Sequence, residues 1–207
     1  YPTGVYVKLA KIKLKKVGGT STSVAQSSIP DLNYGDYYAL VIGNNRYDHL
    51  SDLRTAVNDA RSVANTLELD YGFDVTVLEN ASRSQIVKSI STLRQKVGSE
   101  DNALIYYAGH GWLDPSIDKG YWLPVDAKKS SPANWISNAD IADALMGFRA
   151  NHVLLVVDSC YSGTLLRAIG VAPKESTDRL EWIKRVGSKF SRTALTSGSS
   201  EPVVDSG

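Results

Sequence analysis

The sequence predicts an α/β fold, a mostly parallel sheet flanked by helices on both faces. Three observations carry this. Short apolar runs alternate with segments of helical period from residue 37 onward, in the β-α-β-α order that builds parallel sheets. "HVLLVVDS" (152–159) is apolar almost throughout, as a strand covered on both faces is. The length, 207 residues, suits one domain with a sizeable core.

The elements follow in order. Residues 5–17, "VYVKLAKIKLKKV", alternate apolar and polar with one slip at Leu9-Ala10, which suits a strand or hairpin arm with a bulge. "GGTSTSVAQSSIP" reads as a linker. We therefore expect a basic N-terminal strand segment and linker over 1–30 and one α/β domain over 31–207. "YYALVIG" is a strand. In "SDLRTAVNDARSVANTLELDYG", Leu53, Val57, Ala60, Ala64 and Leu67 share a helix face, and Gly72 supplies the stop. "FDVTVLEN" is a strand, followed by the helix "SRSQIVKSISTLRQKV", with Ile86, Ile90, Leu93 and Val97 on one side and Ser82 or Ser84 as cap. "NALIYYAG", a strand, "SNADIADALMGF", a helix capped near Ser137 or Asn138, and "HVLLVVDS" continue the alternation.

Composition narrows the function. A formal charge of +1 and a pI near 8.0 carry no whole-chain signature of a nucleic-acid or membrane-surface binder. Lys8, Lys11, Lys13, Lys15 and Lys16 precede the first acid, Asp31, and read as a solvated face or a charged edge strand. One cysteine, Cys160, excludes an intrachain disulfide and suits a reducing compartment, so a cytoplasmic location is expected. Neither a membrane span nor a signal peptide is evident. The start at Tyr1 and the end at "VVDSG" read as a piece of a longer gene product.

Two positions carry chemistry. His110, between Gly109 and Gly111, lies just past one predicted strand, and Cys160 lies just past another. Ligands of open α/β sheets bind at the carboxyl ends of strands, where residues distant in sequence meet. A thiol beside an imidazole is a nucleophile with its base. The amides of Gly111 and Cys160 are candidates for holding an oxyanion, and glycine flanks leave the histidine approachable. A cysteine at a strand end is by itself more often an inert small hydrophobe; it is the joint pattern that points to catalysis.

"ALVIGNNRYDHLSDLRTAVNDARSVANTL", "LIYYAGHGW", "YWLPVDA" and "VLLVVDSCYSG", with a weaker match in "TALTSGSSEPVVDSG", resemble the caspase-fold cysteine peptidases, in the metacaspase and orthocaspase branch. The resemblance covers roughly residues 36–207. It implies a Cys160–His110 dyad, and it implies that Asp59 and Asp158 form a pocket for Arg or Lys at P1, the residue before the scissile bond. Carboxylates in a partly desolvated pocket attract a guanidinium and leave an acidic side chain unpaired. Arg54 lies near the place where caspases hold an aspartate P1, which keeps an Asp preference as an alternative.

The family continues beyond this chain with a strand and a helix, so the remaining C-terminal part of the same polypeptide is expected to complete the fold. Arg167, Lys174, Arg179, Lys184, Arg185, Lys189 and Arg192 are candidate self-processing positions for an Arg/Lys-specific enzyme. The expected partners are protein or peptide substrates with a basic P1, and neither nucleic acid nor membrane. No cofactor or metal is demanded: Asp114, Asp118, Asp126, Asp140 and Asp143 form no EF-hand loop, although some metacaspases need calcium. Two other classes remain: a catalytically silent caspase-like scaffold, and a nucleotide-binding domain at "VIGNNRY", which lacks both glycine-rich phosphate signatures.

Overall fold

The computed structural model describes residues 35–159 and 191–196. Cys160, the basic strand and linker over 1–30, and six of the basic residues named above (Arg167 to Lys189) lie outside these.

The apolar runs form strands β1 (Tyr37–Gly43), β2 (Asp74–Glu79), β3 (Asn102–Ala108), β7 (His152–Asp158) and β8 (Ser191–Thr196). They make one sheet in the order β2-β1-β3-β7-β8, with every neighbouring pair parallel. Three helices connect them: α1 (Ala56–Tyr71), α2 (Arg83–Lys96) and α3 (Asn138–Met146). Alternation along the strands divides the core into two layers. Leu40, Ile42, Ile105, Tyr107, Val153, Leu155 and Val157 pack with Ile86, Ile90 and Leu93 of α2 and Ile141 and Leu145 of α3. Ala39, Val41, Tyr106 and Ala108 face the small residues Ala56, Ala60 and Ala64 of α1. Small side chains on both surfaces let that helix lie close to the sheet.

The helix ends follow local chemistry. Gly72 closes α1 in the left-handed region at φ 72°, returning its N–H to the Glu68 and Leu67 carbonyls. Ser82 precedes α2, and its N–H donates to Gln85 Oε1 at 2.9 Å. Ser137 caps α3 reciprocally: Asp140 N–H donates to its hydroxyl at 3.1 Å, and its own N–H donates to Asp140 Oδ2 at 3.3 Å.

Three findings depart from the sequence reading. Among the described residues, α1 lies over β1 and β3, and Leu154 and Val156 of β7 are only partly buried, whereas Val153, Leu155 and Val157 on the other face are fully buried. A second, antiparallel sheet is formed by β4 (Gly111–Asp114), β5 (Lys119–Trp122) and β6 (Ile136–Ser137), in the order β4-β5-β6. Arg192, a candidate cleavage position, is paired with Val153 inside β8. Its guanidinium donates to the carbonyls of Leu145, Phe148, Ala150, Asn151 and Ser191 at 2.7–3.4 Å. That cluster ties β8 to the end of α3.

Candidate active site

The parallel register sets Ala108 opposite Asp158 at the carboxyl ends of β3 and β7. His110 and Cys160 each follow that pair by two residues. Gly109 N–H reaches the Asp158 carbonyl at 3.4 Å, so the two chain ends stay paired one step beyond the strands.

His110 is held on all sides. Its Nε2 lies 2.8 Å from the Ser51 carbonyl. A carbonyl only accepts, so this nitrogen carries a proton, and in the neutral imidazole Nδ1 is left as the basic atom. Its carbonyl accepts from Leu123 N–H at 2.9 Å and from the Tyr107 hydroxyl at 2.9 Å. Its own N–H donates to the Tyr47 hydroxyl at 2.8 Å, and the two rings lie 4.6 Å apart, tilted by 48°. Burial pushes the Tyr47 and Tyr107 phenols well above their ordinary values, so both stay protonated.

Gly109 has a packing reason as well as a catalytic setting. A Cβ there would lie 2.8 Å from the Tyr107 hydroxyl and 2.9 Å from that of Tyr47. Gly111 has a different one. It opposes Trp122 in the antiparallel pairing, and the Leu123-to-His110 bond brackets that pair. Gly111 is therefore at a position whose N–H points away from β5, free of the ladder. That is the orientation an oxyanion donor needs.

The two carboxylates singled out in the sequence meet at a residue that sequence reasoning passed over. Asp59 is on α1 and Asp158 ends β7, both half-exposed. Tyr106, 6% exposed, lies in β3 with its ring in the layer under α1. Its phenol is held far above its ordinary value by burial first, then by the negative charges of Asp158 and Asp59. The signal was available: Tyr106 is two residues before Ala108, on the strand face that leads to the site. Arg54 is exposed.

Three of the five acids considered for calcium are engaged locally. Asp114 accepts from Ser116, Asp126 from Arg83 N–H, and Asp140 from the Ser137 backbone. Among the described residues no three His, Cys, Asp or Glu side chains group as a metal site. No helix among them is long and apolar enough to cross a membrane.

Comparison with known proteins agrees with this geometry. The family model for the caspase domain matches residues 36–201. Metacaspase-1 of Saccharomyces cerevisiae is 26% identical over 148 residues, covering 62% of this chain and 34% of that protein. Metacaspase-6 of Arabidopsis thaliana is 29% identical over 160 residues, covering 68% of this chain and 43% of that protein. The chain thus spans well under half the length of these relatives. A Geobacter sulfurreducens protein of known crystal structure superposes with a TM-score of 0.52 at 27% identity, covering 64% of this chain and 53% of its own. With the match running through both reactive motifs and most of the sheet, the chain belongs to the caspase domain family.

Proposed function

We propose that the protein is a cysteine endopeptidase that cleaves after Arg or Lys. Cys160 gives its proton to His110 Nδ1, and the thiolate attacks the carbonyl carbon of the scissile bond. The amides of Gly111 and Cys160 hold the oxyanion. The tetrahedral adduct collapses to a thioester as the imidazolium protonates the departing amine. Water, deprotonated by His110, then releases the acid and restores the thiol. Asp59 and Asp158 bind the basic P1 side chain, and Tyr106 braces Asp158. None of these steps calls on a cofactor, and the single thiol fits a reducing, cytoplasmic setting.

The observation that supports this reading is the Ala108–Asp158 register at the carboxyl ends of β3 and β7, the pair that His110 and Cys160 each follow by two residues in the sequence. The Ser51 carbonyl on His110 Nε2 supports the choice of Nδ1 as base. β8 is an edge of the described sheet, and a strand from the remaining C-terminal part of the polypeptide is expected to add there. Self-processing falls between Tyr161 and Lys189.

The test is hydrolysis of matched fluorogenic peptides with Arg, Lys or Asp at P1, by the full-length protein and its Cys160→Ala variant, with and without calcium. Cleavage after Arg or Lys that the variant abolishes supports the reading. Cleavage only after Asp would keep the dyad and overturn the pocket. No cleavage would favour a silent caspase-like scaffold.

A further inference from the structure

Residue 110 leaves the β4–β5 ladder in an unusual way. In a regular antiparallel pair two residues exchange two N–H···O bonds. Here Leu123 N–H donates to the His110 carbonyl at 2.9 Å, but the reciprocal bond is replaced by two phenols. The His110 N–H goes to the Tyr47 hydroxyl at 2.8 Å, and the Leu123 carbonyl accepts from the Tyr107 hydroxyl at 3.1 Å. The two hydroxyls fill the space that a Cβ on residue 109 would need. Tyr47 is only 8% exposed.

The segment that carries Tyr47 is itself fixed. Asn80 Oδ1 accepts from the N–H groups of Asn45 and Arg46, both at 2.9 Å. Tyr47 N–H donates to Asp52 Oδ1 at 2.9 Å, Asp48 N–H to the Val125 carbonyl at 3.0 Å, and Leu53 N–H to the Asn45 carbonyl at 2.8 Å. The same segment supplies Ser51, whose carbonyl holds the imidazole. One braced loop therefore grips residue 110 at its main chain, its ring face and its ring edge.

From this we propose that Tyr47 is a positioning residue for the catalytic base: its hydroxyl draws the His110 backbone off the ladder, and its ring sets the tilt of the imidazole. This rests on the peptidase reading given above. Proton transfer depends steeply on that alignment, and misplacement by about 1 Å costs on the order of 100-fold in rate. Tyr47→Phe removes one oxygen and leaves the His110 N–H without its acceptor, while the P1 pocket is untouched.

The experiment compares Tyr47→Phe with wild type in steady-state hydrolysis and in the pH profile of iodoacetamide alkylation at Cys160. The expected result is a fall in kcat of about tenfold or more, with KM within about twofold and the alkylation midpoint moved to higher pH. A merely structural role would lower thermal stability and leave kcat per folded molecule and the alkylation midpoint where they were; that outcome overturns the proposal. Hydrogen exchange of the wild-type His110 amide needs no variant: slow exchange supports the bond to Tyr47, and exchange at the rate of an open loop overturns it. Wild-type protein with ordinary thiol reactivity and no hydrolysis would sink the peptidase reading instead, while a slow His110 amide would still report the Tyr47 contact.

Discussion

The phenol of Tyr106 lies in the field of two carboxylates, that of Asp158 first and that of Asp59 second. An acid from α1, an acid from the end of β7 and a phenol from β3 thus act on one another. Because burial and both charges oppose its ionisation, Tyr106 keeps its proton at neutral pH. Asp158→Asn is expected to raise KM for an Arg P1 peptide by about 10- to 100-fold, the range of a lost charge-assisted hydrogen bond. Tyr106→Phe should raise it by about two- to tenfold. Neither should change the alkylation rate of Cys160, and a matched loss of that rate would show that the pocket is not separable from the dyad.

Gly109→Ala tests the space behind the histidine. The added methyl meets two buried, hydrogen-bonded hydroxyls within 3 Å, and neither can retreat without breaking its bonds. We expect a loss of about 1–3 kcal/mol in denaturant unfolding together with reduced hydrolysis. Gly72→Ala is the comparison. Nothing lies within 4 Å of its Cβ position, but φ is 72°, so the loss should be about 1 kcal/mol with kcat unaltered.

Arg192 makes two predictions at once. Arg192→Ala leaves several carbonyls at the end of α3 without a donor and should destabilise the protein by roughly 2–4 kcal/mol. Arg192→Lys should recover little of this, since a single ammonium cannot replace a planar fork that meets five carbonyls. Mass spectrometry of self-processed protein should find no cut after Arg192. A scissile segment must enter the active site extended and unpaired, whereas this residue is bound within β8 and by its side chain.

His152 links β7 to β8 through Nδ1 and the Ser191 hydroxyl at 2.9 Å. Burial, and then the nearby Arg192 charge, lower its pKa from the ordinary 6.5. A depressed histidine favours the neutral form in the folded state, so the unfolded chain binds more protons as pH falls below 6.5. Its contribution to stability is complete above that value and declines as pH drops through it. Denaturant midpoints at pH 7.5 and 5.5 should differ more for wild type than for His152→Asn. Equal differences would rule out this group as the source.

Much of the fold was legible because β1, β3 and β7 are continuous apolar runs and α1, α2 and α3 carry clear helical stripes. His110 and the glycines around it were legible as a motif. What was not legible came from short or long-range pairing. β4, β5 and β6 have four, four and two residues, too few for a period to register. The helix after β1 starts at Ala56 and not at Ser51, because residues 51–53 are engaged elsewhere: Ser51 on the imidazole, Asp52 on Tyr47, and Leu53 on the Asn45 carbonyl. Tyr47 lies 63 positions from the histidine it touches, and Tyr106 looked like one more apolar strand residue. Such roles are created by packing and leave no spacing to read.

The register between β3 and β7 also bears on how the chain tolerates changes of length. One inter-strand spacing of about 4.8 Å sets Ala108 beside Asp158, and the β4–β6 sheet and α3 lie between these two residues in the chain as a long excursion. Lengthening or shortening that excursion does not alter the spacing, because loop-closure entropy grows only slowly with length. Changes in the length of that excursion are therefore expected to leave the pairing of β3 with β7 in place. A one-residue slip of β7 along β3 would be far more costly, since it turns Val153, Leu155 and Val157 out of the core and breaks the Ala108–Asp158 pairing in the same step.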